Sequence, residues 1–201
     1  MKTILVTKKE ILDGGPCHNA MVFIENNYLD VKELPLEKVY EIAQSADSSW
    51  AEWLLSQKLE WTKYLHKKLN LDFSKMSDLT ELAYSEDKFD FFKYIFENGG
   101  DPSTIDDDDV VINFLSNERE DIAKLILNHP NFTSHKECLD AAIYDGEINT
   151  KFILENSPFE FDFKKIICEN QSLFDDETLE LVLDAFEKQI KEKFIKELKT
   201  D

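Results

Sequence analysis

Glycine and proline are scarce in this chain, five of each in 201 residues. A sheet sandwich or barrel needs a tight turn about every ten residues, so this scarcity excludes that plan and favours helices joined by short polar connections. Arginine is nearly absent, with Arg119 alone beside the lysines, while Asn, Ile and Phe are plentiful. That bias suits an AT-rich genome, such as that of a bacterium, its phage or a large virus. Cysteine is confined to Cys17, Cys138 and Cys168, an odd number without CxxC spacing. Neither a disulfide framework nor a zinc ribbon is indicated, and a reducing cytoplasm is the simplest home. No apolar run approaches the roughly 18 residues of a membrane span, and the run after Met1 is too short for a signal peptide. A soluble, untargeted, cytoplasmic protein is expected, without membrane contact.

Acid and aromatics are what the chain has in quantity. It carries 42 acidic and 23 basic residues, a formal charge of -19, a pI near 4.5 and fifteen Phe. Hydrophobic residues at 42% are too many for a disordered acidic tail, so the chain should fold. An excess of negative charge opposes the counterion release that drives nucleic-acid binding, so no direct nucleic-acid contact is expected and a partner should be neutral or basic. Lys188, Lys191, Lys193, Lys196 and Lys199 collect near the end. There they suit a solvated helix face close to a helix C-terminus.

The residue types that carry chemistry are present but not arranged for it. Cys17 and His18 are adjacent, and neighbours on one helix point about 100 degrees apart, which does not make a thiolate-imidazole dyad. Cys138 and Cys168 fall in apolar runs and are expected to be inert core thiols. His66, His129 and His135 have no partner at metal-ligand spacing. Asp106, Asp107, Asp108 and Asp109 lack the alternating ligands, glycine and closing glutamate of a calcium loop. Phosphate loops, nucleophile elbows and dinucleotide fingerprints are missing as well. No catalytic residue, cofactor site or metal site is therefore expected.

Internal similarity is more informative. Four segments share the plan of a short helix, a polar break and an apolar helix. The second helices are Phe89 to Phe96, Asp121 to Leu127, Asn149 to Leu154 and Thr178 to Phe186, each following a first helix around Leu79 to Ala83, Val110 to Leu115, Cys138 to Tyr144 and Ile166 to Cys168. Marked by Phe96, Leu127, Leu154 and Leu183, the second helices recur every 27 to 31 residues. One such pair cannot bury its apolar face, whereas stacked neighbours can. Pro102, Pro130 and Pro158 fall just after second helices, where proline stops a helix. Asp78 to Glu81 and Ser134 to Glu137 have capping-box spacing, and Gly99 is placed as a C-cap glycine.

This pattern resembles degenerate ankyrin repeats over residues 76 to 186, Glu97-Asn98-Gly99-Gly100-Asp101-Pro102 being the nearest match to the family's closing turn. The resemblance implies an all-α fold of stacked helix-turn-helix units. The Thr-Pro-Leu-His opening is absent and two of the four turns lack glycine, so projecting hairpin fingers are not implied. Before the repeats, residues 1 to 75 read as a helical region that serves as a divergent capping repeat. One helix is predicted from Leu36 to Ala46, another after a Ser49 to Glu52 capping box, and a third from Leu59 to Leu69. Residues 187 to 201 continue the last helix. The stretch Ile11 to Phe23 with Trp50 and Trp53 is similar to a short N-terminal motif of phage-encoded proteins, with Pro16 in place of its alanine. Trp50 and Trp53 are expected to pack in the core ahead of serving as a ligand platform.

Two functions fit. The first is a non-enzymatic protein-binding module, phage- or virus-encoded, that grips a host protein through a basic surface. Its candidate contacts are Asp101, Asp106, Asp107, Asp108, Asp109, Glu118, Glu120 and Asp121, faced by Arg119 alone. The second is an acidic mimic of nucleic acid that inhibits a host nuclease or defence enzyme. An enzyme of another class is the weakest alternative.

Overall fold

In the computed structural model, residues 2–27, 32–85, 88–105 and 109–200 are described, and among them the chain is mainly helical, with thirteen α-helices and one two-stranded sheet. Twelve of the helices span only six to eleven residues. Isolated helices of that length are marginal in water, so packing of their apolar faces supplies most of their stability. The chain divides into two compact units, residues 1–104 and 105–201. That boundary falls within the segment read as repeats.

Unit 1 begins with strand β1 (Leu5–Thr7), which pairs antiparallel with β2 (Glu33–Pro35) in the register Val6 to Leu34. Between them lie α1 (Lys8–Asp13) and α2 (His18–Asn27). Thr7 caps α1 in a full capping box, its hydroxyl accepting from the Glu10 N–H while Glu10 accepts from the Thr7 N–H. Then follow α3 (Leu36–Ala46), α4 (Ser48–Gln57), α5 (Leu59–Leu69), α6 (Ser77–Ser85) and α7 (Phe89–Glu97). Helices α3 and α4 pack together as one pair, α6 and α7 as another, and α4 packs on α6. Their core holds Leu36, Leu54, Leu55, Leu65, Phe73, Leu79, Phe92 and Ile95.

Two predicted capping boxes are replaced by other contacts. Helix α4 is capped by Asp47, whose carboxylate accepts the Ser49 N–H at 2.9 Å, and not by Ser49 itself. Glu52 points away from its own helix end and accepts the Leu79 N–H at 2.8 Å, so it caps α6 across the α4–α6 contact. Burial pushes the Glu52 carboxyl above its ordinary range, against the lowering effect of that N–H. Asp78 lies inside the first turn of α6 and is not its cap.

Unit 2 contains α8 (Val110–Ser116), α9 (Glu120–Leu127), α10 (His135–Asp145), α11 (Glu147–Asn156), α12 (Phe163–Glu169) and the 25-residue α13 (Asp176–Thr200). Three consecutive pairs form, α8 with α9, α10 with α11 and α12 with α13, while α8 packs on α10 and α11 on α13. Residues 187 to 200 continue α13 without a break. Polar ties join elements of successive pairs. The Asn128 amide donates to the Asn156 carbonyl at 3.3 Å, Asn170 donates to Asp140 at 2.7 Å, and Lys136 bridges to Glu169 at 3.1 Å. Ile122, Ile126, Leu127, Leu139, Ala142, Ile153, Ile166 and Val182 make the core.

Of the residues that mark the second helices in the sequence, Phe96 and Leu127 are buried, whereas at the last two helices the buried anchor sits one residue earlier than Leu154 and Leu183. Ile95, Ile126, Ile153 and Val182 are all fully buried, and they are spaced by 31, 27 and 29 residues. Leu183 is 45% exposed and Leu154 half-buried. A stripe along a helix is set by which side turns toward the neighbour, and Phe and Leu side chains flanking the true anchor match the pattern almost as well.

Candidate interaction surface

The sequence-predicted acidic residues fall in three groups. Asp106, Asp107 and Asp108 lie outside the described residues. Asp101 belongs to unit 1, where its carboxylate accepts the Ser103 N–H at 2.9 Å. Asp109, Glu118, Glu120 and Asp121 belong to unit 2 and are exposed.

The last three sit where α8 turns into α9, and the backbone there is specific. The Arg119 N–H reaches the Phe114 carbonyl at 2.8 Å and the Glu118 N–H reaches the Leu115 carbonyl at 2.9 Å, which is the pair of bonds that closes a helix in a Schellman turn. Glu118 therefore takes the left-handed position, with φ 57°, that glycine usually fills. The α7 terminus uses the same pair of bonds, from Gly100 to Ile95 at 2.9 Å and from Gly99 to Phe96 at 3.2 Å, with Gly99 at φ 101°. Glu118 is thus exposed at the tip of a hydrogen-bonded turn. Asp121 is different: Arg119 Nε approaches its carboxylate at 3.1 Å and partly neutralises it. Among the described residues, Glu118 and Glu120 carry the charge at this turn that Arg119 does not offset.

Acid recurs at the start of each second helix of unit 2, with Glu120 and Asp121 on α9, Glu147 on α11, and Asp176 and Glu177 on α13. Part of this is local, since a carboxylate near a helix N-terminus is stabilised by the helix dipole. Asp175 shows the effect, accepting the Thr178 N–H at 2.7 Å, a bond that lowers its carboxyl below the ordinary range. The charge of the unit as a whole goes further: residues 105–201 hold 24 acidic and 11 basic side chains.

At the α10–α11 turn two apolar side chains stand among those acids. Tyr144 is 79% exposed and Ile148 is 83% exposed, flanking Asp145, Gly146 and Glu147. Gly146 adopts φ 120°, a value reserved for glycine, and lets the chain reverse between two packed helices. Neither residue was among the sequence-predicted contacts. Tyr144 belongs to the apolar run of α10, yet Cys138, Leu139, Ala142 and Ile143 complete the buried stripe without it. The signal available was angular, because residue 144 falls off the face defined by 139 and 143.

The cysteines and histidines are not gathered into a reactive cluster. Cys138 is buried as expected, whereas Cys168 is exposed, because α12 turns Phe163 and Ile166 inward and leaves residue 168 on its outer side. Cys17 and His18 are both exposed. His66 Nδ1 lies 2.8 Å from the Tyr94 hydroxyl and its ring packs 4.7 Å from Phe73. His135 is buried, stacked 5.2 Å from Phe159 and 3.0 Å from the Ser157 hydroxyl, and burial holds its imidazole below the usual value. Among the described residues no group of three potential metal ligands converges, and no helix is long and apolar enough to cross a membrane.

Unit 1 holds a small apolar cavity of about 60 Å³ among Val6, Ile11, Phe23, Trp50, Trp53 and Leu54, with Lys8 and Glu33 as its charged lining. Phe23 and Trp50 meet with ring centroids 5.5 Å apart. The aromatic residues of the N-terminal motif thus pack together, and Trp50 and Trp53 are half-buried walls of this cavity.

Comparison with known proteins gives no matching family model, no matching curated protein and no matching solved structure.

Proposed function

We propose that this chain is a non-enzymatic protein-binding module whose stacked helical hairpins, similar in plan to degenerate ankyrin repeats, present an acidic surface with apolar anchors to a basic partner protein. The observation that carries this reading is the α10–α11 turn, where Tyr144 and Ile148 stand 79% and 83% exposed beside Asp145 and Glu147. Burying an Ile or Tyr contributes about 1.5–3 kcal/mol each, and aromatic side chains surrounded by polar groups are the usual energetic centres of protein interfaces. The carboxylates Glu118, Glu120 and Glu147 would steer a basic surface toward these anchors and set orientation more than affinity.

A host protein bound by a phage- or virus-encoded chain fits the N-terminal motif and the codon-biased composition. The charge of residues 105–201 also supports the second reading, in which the acidic surface occupies the nucleic-acid groove of a nuclease or defence enzyme. One experiment separates the two. The full chain and a Tyr144→Ser/Ile148→Ser variant serve as baits in extracts of the native host, followed by mass spectrometry and a competition with duplex DNA and RNA. A protein retained by the first bait and lost from the second supports the module, and its displacement by nucleic acid supports the mimic. Equal retention by both baits removes the α10–α11 turn from the interface.

A further inference from the structure

The C-terminal helix carries an apolar stripe that its own unit leaves uncovered. One side of α13 packs inward: Thr178 and Val182 are buried, Phe186 meets Phe163 at 5.7 Å, and Gln189 donates to the Phe161 carbonyl at 3.0 Å. Beyond that bond the described side chains from Ile190 to Lys199 are exposed. Leu183, Ile190 and Phe194, at 45%, 52% and 60% exposure, are spaced by seven and four residues and fall on one face. A helical end of this length with exposed Ile and Phe is marginal in water.

Charge along α13 is polarised. From 176 to 187 it has five acidic residues, Asp176, Glu177, Glu180, Asp184 and Glu187, and no basic one. From 188 to 200 it has five lysines against Glu192 and Glu197. Two such helices side by side and parallel would oppose like halves, whereas antiparallel they set the basic half of each on the acidic half of the other. We propose that α13 pairs antiparallel with α13 of a second copy, with Leu183, Ile190 and Phe194 forming the shared seam. At physiological salt the Debye length of about 8 Å limits repulsion between the two net negative molecules, while charges flanking adjacent helices stay within reach of one another.

Sedimentation of the full chain at physiological salt across a hundredfold concentration range tests this. The expected mass rises from 23.5 kDa toward twice that value. Ile190→Asp and Phe194→Asp, both at exposed positions, keep the helical circular-dichroism spectrum. Each change occurs twice per dimer and weakens association by roughly a hundredfold. Orientation is read by air oxidation in a background of Cys17→Ser, Cys138→Ala and Cys168→Ser. Glu180→Cys mixed with an epitope-tagged Glu197→Cys should give the tagged-untagged disulfide in preference to either self-linked product. A monomer at every concentration, a dimer indifferent to both Asp substitutions, or preferential 197-to-197 linkage would overturn the proposal.

Discussion

His135 illustrates how a single buried group ties stability to pH. Its ring is enclosed by Phe132, Phe159 and Ser157, and burial disfavours the imidazolium. As pH falls, the unfolded chain, titrating near 6.5, takes up the proton before the folded chain does. The contribution is complete above about 6.5 and is lost as pH drops through the folded value. Urea unfolding at about pH 7.5 and pH 5.5 should show a loss at the lower pH that a His135→Phe variant reduces. Glu118 offers a second test. An L-residue in the left-handed region is strained by about 1–2 kcal/mol, part of which glycine returns as unfolded-state entropy, so Glu118→Gly should raise stability by about 0.5–1 kcal/mol. Chemical denaturation measures it, and destabilisation would mean that the Glu118 side chain has a structural role. The acids near this turn were legible in the sequence as a charge cluster. Their division into paired Asp121 and outward Glu118 was not, because the Arg119 fork and the Schellman bonds depend on the backbone path.

Within the helices, the sequence reading succeeded where one signal dominated. Helices Leu36–Ala46 and Leu59–Leu69 lie at their predicted bounds, and the former starts just after Pro35. It failed where a local motif competed with a tertiary contact. Glu52 has capping-box spacing from Ser49, but its carboxylate is taken by Leu79 on α6. Glu52→Ala should cost about 1–2 kcal/mol through loss of that cap, and Glu52→Gln, which keeps an acceptor, should cost less. Equal losses in thermal unfolding would assign the effect to packing. The one-residue offset of the anchors in the last two second helices gives a sharper comparison. Ile153→Ala should cost about 2–5 kcal/mol through a core cavity and Leu154→Ala distinctly less, the reverse of a register marked by Leu154. A recurrent polar detail accompanies the anchors. Asn98, Asn128 and Asn156, at the ends of successive second helices, each donate to the carbonyl four residues earlier at 2.7 to 2.9 Å. These bonds satisfy carbonyls that a helix end leaves open, so asparagine there stands in for a longer capping sequence.

For the whole molecule, the account rests on short helices that gain stability from their neighbours and leave their turns free to carry charge and apolar anchors. The mainly helical architecture was legible from composition, because few glycines and prolines and a recurring apolar period favour helices, whereas the short β1–β2 pair left no signal there. The surface was only partly legible: the acids stand out as charge, but Tyr144 lies in an apolar run whose buried side is decided by packing, and Ile148 lies in the break between two apolar runs. The most direct test is hydrogen-deuterium exchange on the full chain, alone and with a protein captured by it. Added protection is expected in the amides of residues 117–121 and 144–148, with the α9 and α11 cores unchanged. Protection absent from both turns and concentrated elsewhere would contradict the assignment of the interface.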